Sequence, residues 1–323
     1  AQEHAGPSSG QCVDCHMKDK TYMGVDDRRD HSFRLPDAGT RPGHYGQVIA
    51  AGRAGDANDA LLQGIANLSY PPIARATMLT LLEPLVGASA QQTLAEQAND
   101  PDPLVRIGLL RALRAQDPAL VAVTGTHLLR DSVRSVRIEA ALAFVDHRDL
   151  LPLEDARAFA SAAQEFRDSL LAGGFVPDSA INLAGFESRL GNDAAAEELY
   201  ERAIQIGDRI AEVQYAYGLY KVRSGEPAAA LSHLRRATEI DPDTPWFTYV
   251  YGVALNSTGS AAEAIRVLDA ARSKFPGDFD IAWALVTMYR DTGDRAETER
   301  LLADLQSQFP GNAQLRALAE SLR

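Results

Sequence analysis

A short motif near the start of the chain carries its clearest chemistry: Cys12-Val13-Asp14-Cys15-His16. The C-x-x-C-H spacing is the attachment pattern of a c-type haem, because each thiol can add across one vinyl group of the porphyrin. The histidine that follows the second cysteine is placed to reach the iron from one face. We therefore predict one covalent haem c on Cys12 and Cys15, with His16 as the proximal iron ligand.

Other uses of a C-x-x-C pair fit this chain less well. The sequence contains two cysteines, so a zinc site would need histidines, and His31 and His44 lack the spacing of a zinc finger. A thioredoxin-type pair starts a helix in a βαβ unit. Here the pair lies in a stretch rich in Gly, Ser and Asp, without a strand pattern. A simple disulfide remains an alternative that the motif alone does not remove.

The sixth iron ligand has several candidates. His31 is the first choice, and His4, His44 and Met23 are the alternatives. A thioether ligand would give a higher potential than a second imidazole. For His44, a role as an ordinary polar loop residue fits equally well. Two filled axial positions would close the iron to substrates and favour electron transfer, whereas an open sixth position would indicate a haem enzyme or sensor.

Three arginines near the motif are candidates to pair with the haem propionates, because guanidinium binds carboxylate through two hydrogen bonds. They are Arg28, Arg29 and Arg34. Solvated loop charges explain the same residues equally well.

Composition and charge exclude several classes of protein. The 323 residues carry a formal net charge of −12, which argues against nucleic acid and anionic membrane surfaces as partners. Lys/Arg and Asp/Glu balance within residues 1–53, so the whole excess lies in residues 54–323. The sequence contains no apolar run long enough for a transmembrane helix.

The start of the chain bears on where the protein works. The sequence begins at Ala1 rather than at Met, as a secreted protein does after removal of its signal peptide. An artificially chosen start would look the same. Haem attachment of this type takes place outside the bacterial cytoplasm, so we expect a periplasmic or extracellular protein.

Residues 54–153 show helical periodicity within a longer, strict repeat. Apolar positions follow the i, i+3, i+4, i+7 pattern, and the constant spacing of Arg75, Arg106 and Arg137 defines a 31-residue period. Asp-Pro pairs such as Asp102-Pro103 mark helix starts. These features predict stacked helix pairs that resemble HEAT repeats. Residues 154–176 read as one linking helix.

Residues 177–312 follow a 34-residue period, and residues 313–323 form a predicted capping helix. Small residues that let paired helices approach recur at three positions of the repeat, and proline closes most units. This pattern resembles the tetratricopeptide repeat, in four copies. The recurring residues are Ala184, Gly218, Gly252; Ala196, Ala230, Ala264; Ala203, Ala237, Ala271; and Asp208, Pro242, Pro276, Pro310. The fourth copy departs, with Val286, Thr298 and Leu305 at the small positions.

Together these segments predict an all-α fold: a solenoid of HEAT-like and then tetratricopeptide helix pairs, preceded by an irregular haem-binding segment over residues 1–53. In such repeats the fifth position of the first helix faces a groove, and here it is occupied by Ile181, Tyr215, Tyr249 and Trp283, with Trp246 beside Tyr249. An aromatic row of this kind is typical of a binding surface. Packing between repeats is the competing explanation.

The haem segment also resembles a known family. Tyr22-Met23, Val25-Asp26, Arg28-Arg29-Asp30-His31-Ser32 and His44-Tyr45-Gly46 follow the C-x-x-C-H motif in the manner of a bacterial multihaem c-type cytochrome family that carries tetratricopeptide repeats. Lys18 stands where that family has proline, and its further C-x-x-C-H sites are absent. The resemblance implies an electron-transfer protein, here with a single haem.

We therefore expect a periplasmic or extracellular c-type cytochrome, not an enzyme, whose repeats dock a redox partner or other copies of the chain. One alternative is a structural protein that assembles oligomers or filaments through its repeats, with the haem stapling the N-terminal segment or a subunit interface. The second alternative is a haem enzyme or sensor with an open sixth site.

Overall fold

The computed structural model describes residues 19–22, 26–29, 44–55, 57–84 and 88–322. Apart from one short hairpin, these residues form α-helices arranged in repeated pairs. The chain divides into two compact units, Ala1–Ala163 and Gln164–Arg323. Within the described ranges, no helix has both the length and the apolar character that crossing a membrane would require.

The hairpin lies in the segment that we expected to be irregular. Strand β1 (Asp19–Tyr22) pairs antiparallel with β2 (Asp26–Arg29), and Asp19 lies opposite Arg29 in the register. The expectation of irregular loops is therefore wrong for these two strands. Such short strands with mostly polar side chains offer no alternation of apolar and polar positions from which to predict them.

The first unit continues as seven α-helices over its described residues. The helices that follow its 31-residue period are α3, α5 and α7, and they lie side by side in the order α3, α5, α7. The bounds are α1 Tyr45–Ala54, α2 Asn58–Ala66, α3 Pro72–Thr80, α4 Ala88–Gln97, α5 Pro103–Leu113, α6 Pro118–Gly125 and α7 Arg134–Phe144. Short 3₁₀ turns, Thr126–Arg130 and Val145–Leu150, follow α6 and α7.

Proline starts three helices of the first unit, and two of these starts are at predicted Asp-Pro pairs. Pro72, Pro103 and Pro118 each occupy the first turn, where a missing N–H costs nothing. The carboxylates of Asp102 and Asp117 accept hydrogen bonds from backbone N–H groups two residues on. These caps satisfy donors that the helix itself leaves unpaired.

The first two repeating arginines of the first unit form ion pairs with aspartates that lie just before the next helix of the series, and Arg137 donates to the carbonyl of Asp131. Arg75 Nη1 lies 2.7 Å from Asp100 Oδ2, with both side chains buried. Arg106 binds Asp131 through Nε at 2.7 Å and Nη2 at 3.0 Å, and it also donates to the carbonyl of Asp100. Each pair joins one repeat to the next, so the 31-residue period reflects a ladder of buried charges.

Helices α3 and α5 also touch through their backbones. A Cβ atom added at Gly108 would lie 2.8 Å from the carbonyl oxygen of Ala76 and 2.9 Å from its Cα. Only glycine allows an approach this close. The crossing of the two helices therefore depends on a residue without a side chain.

The second unit holds the tetratricopeptide helix pairs. Helix α8 (Leu153–Leu171) contains the boundary between the two units. The pairs that follow and the capping helix have the bounds α9 Pro177–Arg189, α10 Asp193–Gly207, α11 Ala211–Arg223, α12 Pro227–Ile240, α13 Pro245–Ser257, α14 Ala261–Lys274, α15 Phe279–Thr292, α16 Arg295–Gln308 and α17 Ala313–Ser321.

Small residues set the distance between paired helices, as the 34-residue period predicts. A Cβ added at Gly252 would lie 2.6 Å from the Leu268 side chain, and one at Gly218 would lie 2.8 Å from Leu234. In the fourth repeat, Thr298 is buried where earlier repeats have alanine. Its hydroxyl donates to the carbonyl of Asp294, so the larger side chain enters the core without an unpaired hydroxyl.

The last two turns of α8 behave as the second helix of a repeat. Ala162 and Phe166 precede Ala196 and Tyr200 by one full repeat period, and both are buried. The Phe166 ring packs on Phe186 of α9 at 4.8 Å between centroids. The segment predicted as a linker therefore ends by covering the first tetratricopeptide repeat.

We predict that Arg106→Met lowers the free energy of unfolding of the first unit by about 3 kcal/mol, because it leaves the buried Asp131 carboxylate without its cation. Arg266→Met is the matched control. Its partner Glu263 and Arg266 itself are largely exposed, so the change should stay within about 0.5 kcal/mol. Urea unfolding followed by circular dichroism measures both. Equal effects would show that the buried pair contributes no more than a surface pair.

We expect Gly108→Ala to destabilise the protein by about 1–3 kcal/mol, because the new methyl group would push apart two backbones. Gly185→Ala, within α9, should instead stabilise by about 0.5–1 kcal/mol through helix propensity. Its added Cβ would meet only the Tyr200 hydroxyl, at 3.6 Å. Thermal unfolding of both variants gives the two signs, and a stabilised Gly108→Ala would contradict the close crossing.

Candidate functional site

Most residues predicted to hold haem lie outside the described residues. They are Cys12, Cys15, His16, His4, Met23, His31 and Arg34. Arg28 and Arg29 fall on strand β2, where the backbone places them opposite Lys20 and Asp19. The haem site and its propionate contacts therefore stay predictions.

His44 is the one predicted iron-ligand candidate among the described residues, and its side chain caps a helix. Nδ1 accepts a hydrogen bond from the backbone N–H of Gly46 at 3.0 Å, and the ring stacks on Tyr45. A neutral imidazole that accepts through Nδ1 carries its proton on Nε2. Coordination of iron through Nε2 would therefore require the ring to change tautomer and release the cap.

The structure brings three of the four predicted aromatic groove residues together. Trp246 Nε1 donates to the Tyr215 hydroxyl at 2.6 Å. The rings of Trp246 and Tyr249 lie 5.0 Å apart. This cluster joins α11 to α13 on the first-helix side of two successive repeats. Trp283 instead stacks with Phe279 of its own helix, at 6.1 Å.

Burial separates packing residues from exposed ones within this row. Tyr215, Tyr249 and Trp283 are half-buried and pack against the apolar core of the second unit. Ile181 packs in the same way against the first repeats. Trp246 differs, since 46% of it is exposed. Packing between repeats therefore explains most of the row, and Trp246 is the side chain that remains available to a partner.

A polar cluster that the sequence analysis missed lies between the first two tetratricopeptide repeats. Glu197 accepts hydrogen bonds from the Tyr217 hydroxyl at 2.5 Å and from Lys221 Nζ at 2.7 Å. Burial raises the pKa of Glu197, but the hydrogen bonds from Lys221 and Tyr217 outweigh it and leave the pKa below its usual value. Burial, together with the Glu197 carboxylate, raises the pKa of Tyr217.

The same repeat position makes a polar contact in two other repeats. Glu187, which stands one repeat period before Lys221, accepts from Arg167 Nε at 2.6 Å, and Tyr289 donates to Asp269 at 2.6 Å. Each contact ties a first helix to the helix before it. Glu187 and Lys221 are charged residues at the same helix position in two consecutive repeats. This recurrence is the signal in the sequence that would have predicted these polar contacts.

A cavity with a volume of about 580 Å³ lies beside the last of these contacts. Its lining includes Asp269, Arg272 and Arg300. Arg272 pairs with Asp304, and Arg300 pairs with Glu297. The charged groups that line the cavity are thus paired with one another. We interpret the cavity as a polar gap between packed helices rather than as a ligand site. Among the described residues, no cluster of His, Cys, Asp and Glu is arranged to hold a metal ion.

Family models identify the repeats of the second unit. Tetratricopeptide-repeat models match residues 175–243, 221–289 and 255–322, so this part of the chain consists of tetratricopeptide repeats, as its 34-residue period predicts. Repeats of this kind indicate a protein-binding role. No curated protein matches the sequence.

The chain is also similar to solved structures. The crystal structure of MamA is 20% identical with a TM-score of 0.42, over 51% of this chain and 98% of that one. YrrB, described as a tetratricopeptide protein with an unusual peptide-binding site, is 17% identical with a TM-score of 0.42, over 61% of this chain and 100% of that one.

We predict that two adjacent aromatic residues respond differently to truncation. Phe247→Ala should lower the free energy of unfolding by about 3–4 kcal/mol, because the Phe247 side chain is only 6% exposed and its removal leaves a cavity. Trp246→Ala should cost about 1 kcal/mol or less, since it removes one hydrogen bond and a largely solvated ring. Chemical unfolding compares the two. A large loss with Trp246→Ala would assign that side chain to the core rather than to a partner.

Proposed function

We propose that this chain is a secreted c-type cytochrome that transfers electrons through one covalent haem and docks a partner protein on its tetratricopeptide repeats. The observation that carries the redox half is the Cys12–His16 motif, whose residue types and spacing match haem attachment. The proposed location follows from the motif, because attachment of this type takes place outside the bacterial cytoplasm.

The donor set fits the group. Two thiols can form the two thioether bonds, and the imidazole of His16 supplies a nitrogen ligand of the kind that haem iron takes. When bound, the haem supplies one-electron chemistry. Residues of this chain would fix its position through Cys12 and Cys15, and His31 is our first choice for the second axial ligand.

The docking half is supported by the matched repeats and by Trp246. Exposed tryptophan is enriched among the residues that dominate binding energy at protein interfaces. Trp246 is held in place by Tyr215 and Tyr249. A partner that covers it would therefore meet a side chain whose conformation is already fixed, which lowers the entropic cost of binding.

Expression with a haem-maturation system in a bacterial periplasm tests the redox half. We expect the full chain to carry one haem per molecule that survives denaturing electrophoresis and mass spectrometry. The double variant Cys12→Ser, Cys15→Ser should lose the covalent haem. An intact chain with a disulfide between Cys12 and Cys15 and no haem would contradict the proposal.

The same preparation identifies the second axial ligand. His31→Ala should change the absorption spectrum of the oxidised protein from low-spin to high-spin, because one strong ligand is lost. His44→Asn is the matched control, since asparagine also caps helices, and it should leave the spectrum unchanged. A high-spin spectrum with His44→Asn alone would assign the ligand to His44. It would contradict the interpretation that His44 serves as a helix cap.

A further inference from the structure

A row of exposed carboxylates runs beside the aromatic row of the tetratricopeptide repeats. Asp178, Glu212 and Asp280 occupy the second position of α9, α11 and α15, and Trp246 holds that position in α13. All three carboxylates are exposed. Of the salt bridges formed among the described residues, none involves these three side chains. The row is thus a set of solvated charges.

Helix geometry places two of these carboxylates beside an aromatic residue of the row, and it places Asp178 beside Ile181. Residues three positions apart share a helix face, so Glu212 lies next to Tyr215 and Asp280 next to Trp283. The electrostatics agree. Burial raises the pKa of Tyr249, and the nearby carboxylates of Asp280 and Asp278 raise it further. The carboxylates of α15 therefore act across the repeat boundary on the aromatic cluster of α13.

The starts of the four first helices are acidic as a group. Residues 176–181, 208–215, 241–249 and 276–283 contain seven Asp or Glu and a single basic residue, Arg209. Ordinary solvated faces of a helical solenoid mix both signs, and the second helices here do so, with pairs such as Arg235–Glu239 and Arg266–Glu263. Asp243 pairs with Lys274 at the end of α14. The other acidic residues still leave an excess of negative charge at the starts of the first helices, beside Trp246.

We infer that this face binds an extended basic segment of a partner protein, with arginine or lysine side chains lying against Trp246 and Tyr249 while their charges meet the carboxylate row. Aromatic faces attract cations, most strongly when the ring is tryptophan. The long apolar stems of arginine and lysine would cover the exposed indole. The inference rests on the docking half of the proposed function and names its ligand chemistry.

Fluorescence anisotropy on the full haem-loaded chain tests this inference. The probe is a short labelled peptide that alternates arginine with leucine, and a peptide that alternates glutamate with leucine is its control. We expect saturable binding of the basic peptide alone, weakened by added salt. Trp246→Ala should weaken binding about tenfold, as loss of a hot-spot residue does.

Matched charge variants separate the face from the net charge of the protein. Glu212→Gln with Asp280→Asn should weaken binding about tenfold or more, since it removes two of the proposed charge contacts. Glu198→Gln with Glu320→Gln removes the same charge from α10 and α17 and should change affinity less than about twofold, because distant exposed charges are screened.

Several results would overturn the inference. These are no saturable binding, equal binding of the acidic peptide, or equal weakening by the two double variants. Self-association in sedimentation velocity that Trp246→Ala abolishes would assign the face to a second copy of the chain instead. Haem content is measured on each sample, so failure of haem attachment contradicts the redox proposal and is distinguished from failure of peptide binding.

Discussion

Each helix pair of this solenoid must bury its apolar side against the next pair, since two helices alone enclose too little core. The contacts that fix this stacking differ between the two units. In the first, buried Arg–Asp pairs and the crossing at Gly108 set the distance between repeats. In the second, polar contacts such as Arg167–Glu187 join one repeat to the next, while small residues set the distance within each helix pair.

The contacts used for stacking determine which side chains remain available for binding. Most of the aromatic row of the second unit serves the packing of one repeat on the next, because Tyr215, Tyr249 and Trp283 pack against the core. Trp246 stays exposed because it occupies a repeat position that elsewhere holds a solvated carboxylate. This repeat position is not needed for packing between repeats. The chain can therefore use it for a side chain that contacts a partner.

The sequence predicts the helices well, because a fixed period repeats the same packing problem several times. The 31-residue and 34-residue periods locate α3, α5 and α7 and the tetratricopeptide pairs. The sequence predicts the partners less well. Asp100 and Asp131 each follow their arginine at a sequence separation of 25, which no helix period indicates. Burial of Tyr249 and exposure of Trp246 also depend on neighbouring repeats, so aromatic character alone does not separate them.

The proposed electron carrier depends on an iron whose axial positions are both filled by the protein. The most direct test is the visible spectrum of the haem-loaded chain, reduced without oxygen and then exposed to carbon monoxide. We expect a low-spin c-type spectrum that carbon monoxide leaves unchanged. A carbon monoxide adduct would contradict it, because an open sixth position belongs to a haem enzyme or gas sensor rather than to an electron carrier.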